Sequence, residues 1–122
     1  GKAQMLSQIP WLENVSKESF HQIKQSSHEL LVPQDSHIIR QNEENESIYI
    51  VGRGTVAIFD ENHNGHTVKL GEAGVGSILG EISFCLRQRR TASVKATCPS
   101  LLYRVDGRAL RALADRDPAL DR

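Results

Sequence analysis

The stretch Gly80–Ala96, GEISFCLRQRRTASVKA, decides the reading of this chain: it sets the pair Gly80-Glu81 nine residues ahead of Arg90, which opens a β-rich run. Gly80 has no side chain, so a ligand can approach the backbone and the chain can turn sharply. With a short helix beginning at Glu81, the amides of Ile82, Ser83 and Phe84 have no intrahelical partner and form an anion site reinforced by the helix dipole. Arg90 supplies the countercharge, because its forked donors suit a phosphate and a charge-assisted bond of this kind is worth about 1.5–3 kcal/mol. Glu81 only accepts, so beside a phosphate it needs a donor, and a ribose 2'-hydroxyl is the natural one. One Arg and one Glu cannot neutralise a triphosphate, and no Gly-x-x-x-x-Gly-Lys-Ser/Thr run occurs. A singly charged phosphodiester on a ribose, that is a cyclic mononucleotide, fits this charge balance.

Outward from this stretch, the texture of the chain predicts short strands between helices. Ser16 is placed to cap a helix carrying Phe20, Ile23 and Ser27 at helical spacing, and Pro10 separates it from a short apolar turn containing Leu6 and Ile9. From Glu29 the sequence predicts strands at Leu30–Val32, Ile38–Arg40, Ser47–Val51, Thr55–Asp60 and Thr67–Leu70. Turn residues divide them: Pro33-Gln34-Asp35, Asn42 to Asn45, Gly52-Arg53-Gly54 and Asn62 to Gly65. Two more strands are predicted at Thr91–Ala96 and Leu101–Val105, and Asp106 then caps a helix with Leu110 and Leu113 that stops near Pro118. Short strands at this spacing indicate a sandwich or barrel, with the Gly80 stretch as the helical interruption at which a concave pocket forms.

Composition sets the bounds. The 122 residues, 39% apolar, make one small domain able to bury a core. Fifteen basic and fifteen acidic residues cancel, so no net field draws the chain to nucleic acid or to an anionic membrane. No apolar run reaches membrane-span length and no charged-apolar-small leader opens the chain, which predicts a cytoplasmic segment. Cys85 and Cys98 are too few for a disulfide framework or a metal knuckle, and read as small buried residues.

Gly80-Glu81-Ile82 and Arg90-Thr91-Ala92-Ser93-Val94 resemble the phosphate-binding cassette of cyclic nucleotide-binding domains, the module shared by catabolite activator proteins, kinase regulatory subunits and cyclic nucleotide-regulated channels. Within that family the cassette looks most like that of hyperpolarisation-activated channels, and a similarity of pattern extends from about Leu6 to Leu113. The resemblance implies a mainly β fold with flanking helices: an eight-stranded β-roll of jelly-roll type in a single domain. N-terminal helices occupy 1–27, the roll 28–105 with its cassette at 80–91, and a C-terminal helix 106–117. It also implies a ligand set of Gly80, Glu81, Ile82, Ser83, Arg90 and Thr91, with the apolar Leu79 beside them and Ile58 and Val68 on the wall facing the base.

Thr91 bears on the base, since its hydroxyl can accept from the guanine 2-amino group that adenine lacks. Several cGMP-preferring members of the family use it so, whereas the hyperpolarisation-activated channels carry Thr there and favour cAMP; cAMP is therefore favoured, with cGMP the alternative. The chain departs from the family pattern at Leu79, usually Phe, and at Ser83, usually Ala. Pro33-Gln34-Asp35-Ser36 replaces Pro-x-Gly-Glu, and Asn42-Glu43 replaces a Gly-Asp turn, where Asn tolerates the left-handed conformation. The family's lid helix is expected beyond Arg122.

The function so implied is a regulatory sensor, not an enzyme, with no catalytic residue, metal or cofactor. Its expected partners are a cyclic mononucleotide and a fused or docked effector, be it transporter, channel or enzyme, with a homodimer allowed and neither nucleic acid nor membrane insertion expected. Two other readings stay open: the same fold as an interaction or oligomerisation module without nucleotide, and a cupin-type metal enzyme. The latter needs inward His and Glu ligands, and the chain has no His-x-His pair. His63 and His66 flank a hairpin turn without a third ligand, and Glu43, Glu44 and Glu46 miss the calcium-loop spacing. Arg87, Arg89 and Arg90 form one short basic cluster without a recognition helix, and Ser77 stands in no Gly-x-Ser-x-Gly elbow.

Overall fold

The computed structural model describes residues 2–7 and 12–116. Its first helix, α1, spans Lys2–Leu6 and its second, α2, Lys17–Gln25. The Ser16 hydroxyl accepts the Ser19 amide at 3.1 Å, so α2 starts at the predicted cap. It stops short of Ser27. The hydroxyls of Ser26 and Ser27 donate to the carbonyls of Ile23 at 2.9 Å and Lys24 at 2.7 Å, satisfying acceptors orphaned at the helix end. Ser27 then pairs with Val105 as the first residue of a strand. The expectations for Ile9, Pro10, Pro118 and Arg122 lie outside the described residues.

Eight strands follow among the described residues: β1 (Ser27–Val32), β2 (His37–Ile39), β3 (Ile48–Arg53), β4 (Val56–His63), β5 (His66–Ala73), β6 (Ile78–Leu79), β7 (Ser93–Ala96) and β8 (Ser100–Val105). A short helix α3 (Glu81–Leu86) separates β6 from β7, and α4 (Gly107–Ala114) follows β8, its Arg108 amide donating to the Asp106 carboxylate at 2.9 Å. The strands form two antiparallel four-stranded sheets, ordered β1-β8-β3-β6 and β2-β7-β4-β5. The expected β-roll is thus present. Strand β6, absent from the sequence reading, has two residues and hence no alternation to detect; its existence rests on pairing of Ile78 and Leu79 with Ile50 and Tyr49.

The run Ile48-Tyr49-Ile50-Val51 in β3 is apolar and buried at every position, as befits a strand covered on both faces. Ile48 and Ile50 join Leu6, Ile23, Leu110 and Leu113 from the helices in one core cluster, which also takes Phe84 of α3. Tyr49 and Val51, on the opposite face, pack between the sheets with Ile39, Val56, Leu79 and Val94. The first sheet is therefore the middle layer, with helices on one side and the second sheet on the other. Phe84 and Leu79 anchor the two sides of Gly80, one in each cluster.

Four described non-glycine residues lie in the left-handed region, Asp35, Asn42, Asn64 and Arg87, and two of them stand where the family pattern has Gly. Asn42 has φ +72°, as its substitution for the family's Gly predicts, and Asp35, standing at the Gly of the other replaced pattern, has φ +70°. The cysteines are not both core residues as the sequence suggests: Cys85 is exposed and Cys98 half-buried. Cys85 sits on α3, whose buried residues are Ser83 and Phe84. Among the described residues no helix is long and apolar enough to cross a membrane.

Candidate functional site

A cavity enclosing about 600 Å³, part of it open to solvent, lies where β6, α3, β7, β2 and β4 meet. Gly80, Glu81, Ile82, Ser83, Arg90, Thr91, Leu79 and Ile58 all line it, so eight of the nine residues singled out from the sequence converge on one space. Val68 does not. In the β4–β5 pairing Gly71 stands opposite Ile58, and Val68 stands opposite Asp60 on an edge strand, 38% exposed. Its place in the wall is taken by Val94, the β7 partner of both Ile58 and Ile39. Ile39, Ile78, Ala92 and Val94 complete the lining. The sequence signal for Val94 was cross-strand register, which is unavailable until the β4–β7 pairing is known.

Arg90 is 2% exposed, a rare position for a guanidinium. Its Nη1 donates to the Ser83 hydroxyl at 2.9 Å and to the Gly80 carbonyl at 3.2 Å, and its Nη2 donates to the Ser47 carbonyl at 2.6 Å. The buried Nε has no partner among the described residues. Burial pulls the Arg90 guanidinium below its ordinary range, with Tyr49, Glu43 and Glu46 acting in the opposite direction. An unspent buried donor on a cationic side chain at a cavity wall is costly unless an acceptor meets it there, and an anionic oxygen is the strongest such acceptor.

Glu81 opens α3 and is half-buried, and its side chain makes no hydrogen bond or ion pair to another described residue. Its carboxylate is thus available to a donor inside the cavity. Gly80 has φ +85°, and a Cβ there would lie 2.3 Å from Arg90 Nη1 and 3.0 Å from the Ser47 carbonyl oxygen. The neighbour that requires glycine is therefore the guanidinium, where the sequence suggested a ligand.

Three further expectations change in detail. The Phe84 amide donates to the Gly80 carbonyl at 3.3 Å, which leaves the amides of Ile82 and Ser83 at the start of α3. The Ser83 hydroxyl, 3.2 Å from the Gly80 carbonyl to which it donates, holds Arg90 in place, whereas the resemblance implies Ser83 as a ligand residue. Strand β7 begins at Ser93, not Thr91, because the Arg90 backbone is tied elsewhere: its amide donates to the Glu43 carbonyl at 3.0 Å and its carbonyl accepts from the Asn42 amide at 2.9 Å. Thr91 is consequently an exposed bend residue at the cavity rim. The neighbouring Arg89 turns away to the Asn42 carbonyl and the Glu44 carboxylate, both at 2.8 Å, so the basic cluster divides into a cavity residue and a surface clasp.

Residues 29–117 match the family model of the cyclic nucleotide-binding domain. A candidate potassium channel protein of Rhodopseudomonas palustris is 28% identical over 119 residues, covering 97% of this chain and 28% of that protein. Among solved structures, the regulatory domain of Toxoplasma gondii protein kinase A with cAMP superposes with a TM-score of 0.81 at 16% identity, over 98% of this chain and 46% of the other. The regulatory subunit of a cAMP-independent protein kinase A from Trypanosoma cruzi, bound to guanosine, gives 0.80 at 25% identity, over 97% and 41%. This chain spans less than half the length of each of the three.

Proposed function

This chain belongs to the cyclic nucleotide-binding domain family, and on that premise we propose that its cavity binds a cyclic mononucleotide, cAMP in preference to cGMP, without chemistry. The observation that carries the reading is the buried Arg90, bonded on both Nη atoms yet unpartnered at Nε, in the same wall as the unpaired Glu81. Arg90 and the amides of Ile82 and Ser83 take the cyclic phosphate, and Glu81 accepts the ribose 2'-hydroxyl. Ile39, Ile58, Leu79 and Val94 offer the base an apolar surface. Occupancy is relayed to an effector, a channel, transporter or enzyme, on the cytoplasmic side; the channel relative and the kinase regulatory structures are similar to this chain and support that class of role.

The guanosine bound by the Trypanosoma cruzi relative supports a second reading, a purine nucleoside site. The two differ at the phosphate, so Arg90 discriminates them. Calorimetry with cAMP, cGMP and guanosine on Arg90→Leu should show a roughly ten- to hundredfold loss for both nucleotides. Undiminished nucleotide affinity in that variant would end the proposed role of Arg90, and guanosine as the tighter ligand of the unaltered chain would establish the second reading. Thr91→Ala in the same titrations should weaken cGMP about three- to tenfold and leave cAMP unchanged, one neutral hydrogen bond being at stake.

A further inference from the structure

We propose that Glu61, outside the cavity, is a positioning residue that holds Arg90 in place through Ser93 and Gln41; the ligand consequence of this inference rests on the cyclic nucleotide reading above. The backbone of Arg90 is bracketed by the turn that follows β2, through the Glu43 carbonyl and the Asn42 amide. That turn begins at Gln41, whose own amide donates to the Ser93 hydroxyl at 2.9 Å. Ser93 is fully buried and lies three residues beyond Arg90, so its hydroxyl ties together the two segments that carry the bracket.

Glu61 of β4 sets the polarity of this tie. A hydroxyl has one proton, and with its oxygen accepting from Gln41 the Ser93 proton needs another acceptor. The Glu61 carboxylate takes it at 2.6 Å. Glu61 also grips the turn directly: its amide donates to the Gln41 side-chain oxygen at 2.7 Å, while the Gln41 side-chain nitrogen donates to Asp60 at 3.1 Å. His37 of β2 lies 3.6 Å from the other carboxylate oxygen. The Ser93 hydroxyl, then His37 and Lys95, hold the Glu61 carboxyl below its usual range against a counteracting burial, so it is an ionised acceptor at neutral pH. None of Glu61, Gln41 and Ser93 lines the cavity. They act on it only through the backbone on either side of Arg90, where the guanidinium's hydrogen bonds leave Nε as its one nitrogen without a partner among the described residues.

The test is solution NMR of the 122-residue chain, reading the Arg90 Nε–H resonance and titrating cAMP, for Glu61→Ala and Ser93→Ala. In the unaltered chain that resonance should be sharp, slow to exchange, and shifted by cAMP. In either variant it should broaden and exchange quickly while the remaining amide spectrum is retained, and cAMP affinity should fall about tenfold, the loss of one charge-assisted bond in the support. Should Glu61→Ala not fold, Ser93→Ala decides alone, since removing one buried hydroxyl leaves the side-chain volume almost unchanged. An unaltered Arg90 resonance and unaltered affinity overturn the inference, as does broadening spread evenly over the whole spectrum. Failure of the unaltered chain to bind any cyclic nucleotide overturns the ligand reading instead, and leaves the Arg90 resonance to judge the positioning role.

Discussion

Gly80 is held by two independent constraints. Its left-handed φ of +85° costs any residue with a Cβ about 1–2 kcal/mol, and the Cβ would also stand 2.3 Å from the Arg90 guanidinium. Gly80→Ala should therefore lose at least that stability in urea unfolding, and should weaken nucleotide binding besides, because the guanidinium must shift away from the new methyl and off its Ser83 and Gly80 acceptors. Arg90 shows the same economy from the other side. Three acceptors, the carbonyls of Gly80 and Ser47 and the Ser83 hydroxyl, offset the desolvation of its charge. Ser83, where the family usually has Ala, thereby acquires a role within the cavity wall: its hydroxyl supports the guanidinium.

At the scale of elements, α3 is short, six residues, and its stability comes from what packs around it. Phe84 enters the helix-side core. Arg111 of α4 lies over the Phe84 ring, 4.3 Å from its centroid, and its Nη2 donates to the Phe84 carbonyl, which also accepts the Arg87 amide at the end of α3. The Nε of the same side chain donates to Glu46 at 2.9 Å, joining α4 to the segment before β3. Arg111→Ala should destabilise the chain by about 1–2 kcal/mol in urea unfolding, combining a cation–π contact with a partly buried ion pair. Arg111→Lys should recover less than half of that, since an ammonium cannot reach Glu46 and the Phe84 carbonyl together from over the ring. Gly107, whose added Cβ would stand 2.3 Å from the Glu46 carbonyl oxygen, brings α4 equally close to this segment.

For the whole molecule, the middle sheet is what turns local preferences into a site. Its two faces separate a helix-side core from an inter-sheet core, and the chain crosses between them at Leu79-Gly80-Glu81, where the cavity opens. Much of this was legible in the sequence. The cap at Ser16, the cap at Asp106 and seven strands follow from local propensities that act over a few residues, and the left-handed Asn42 from its place in the family pattern. The cassette is equally local: Gly80, Glu81 and Arg90 lie within eleven residues, and their chemistry, an acceptor beside a forked cation, predicts a small anion on a hydroxylated ring as the ligand.

The amino-acid sequence by itself therefore determined the fold class, the helix caps and the cluster of charge and glycine around which the cavity forms. Only the tertiary structure decided the rest. That Val94 and not Val68 stands beside Ile58 depends on strand pairing: β7 sets Val94 opposite Ile58, whereas β5 sets Gly71 there and carries Val68 opposite Asp60 on an edge strand. That Arg90 is a buried, three-bonded residue while Arg89 clasps the surface depends on carbonyls at Ser47 and Asn42, more than forty residues away in the chain. The support from Glu61 likewise requires β4, β7 and the turn after β2 to be side by side. These are long-range pairings between groups that any local pattern leaves indistinguishable, and they acquire identity only when the two sheets close.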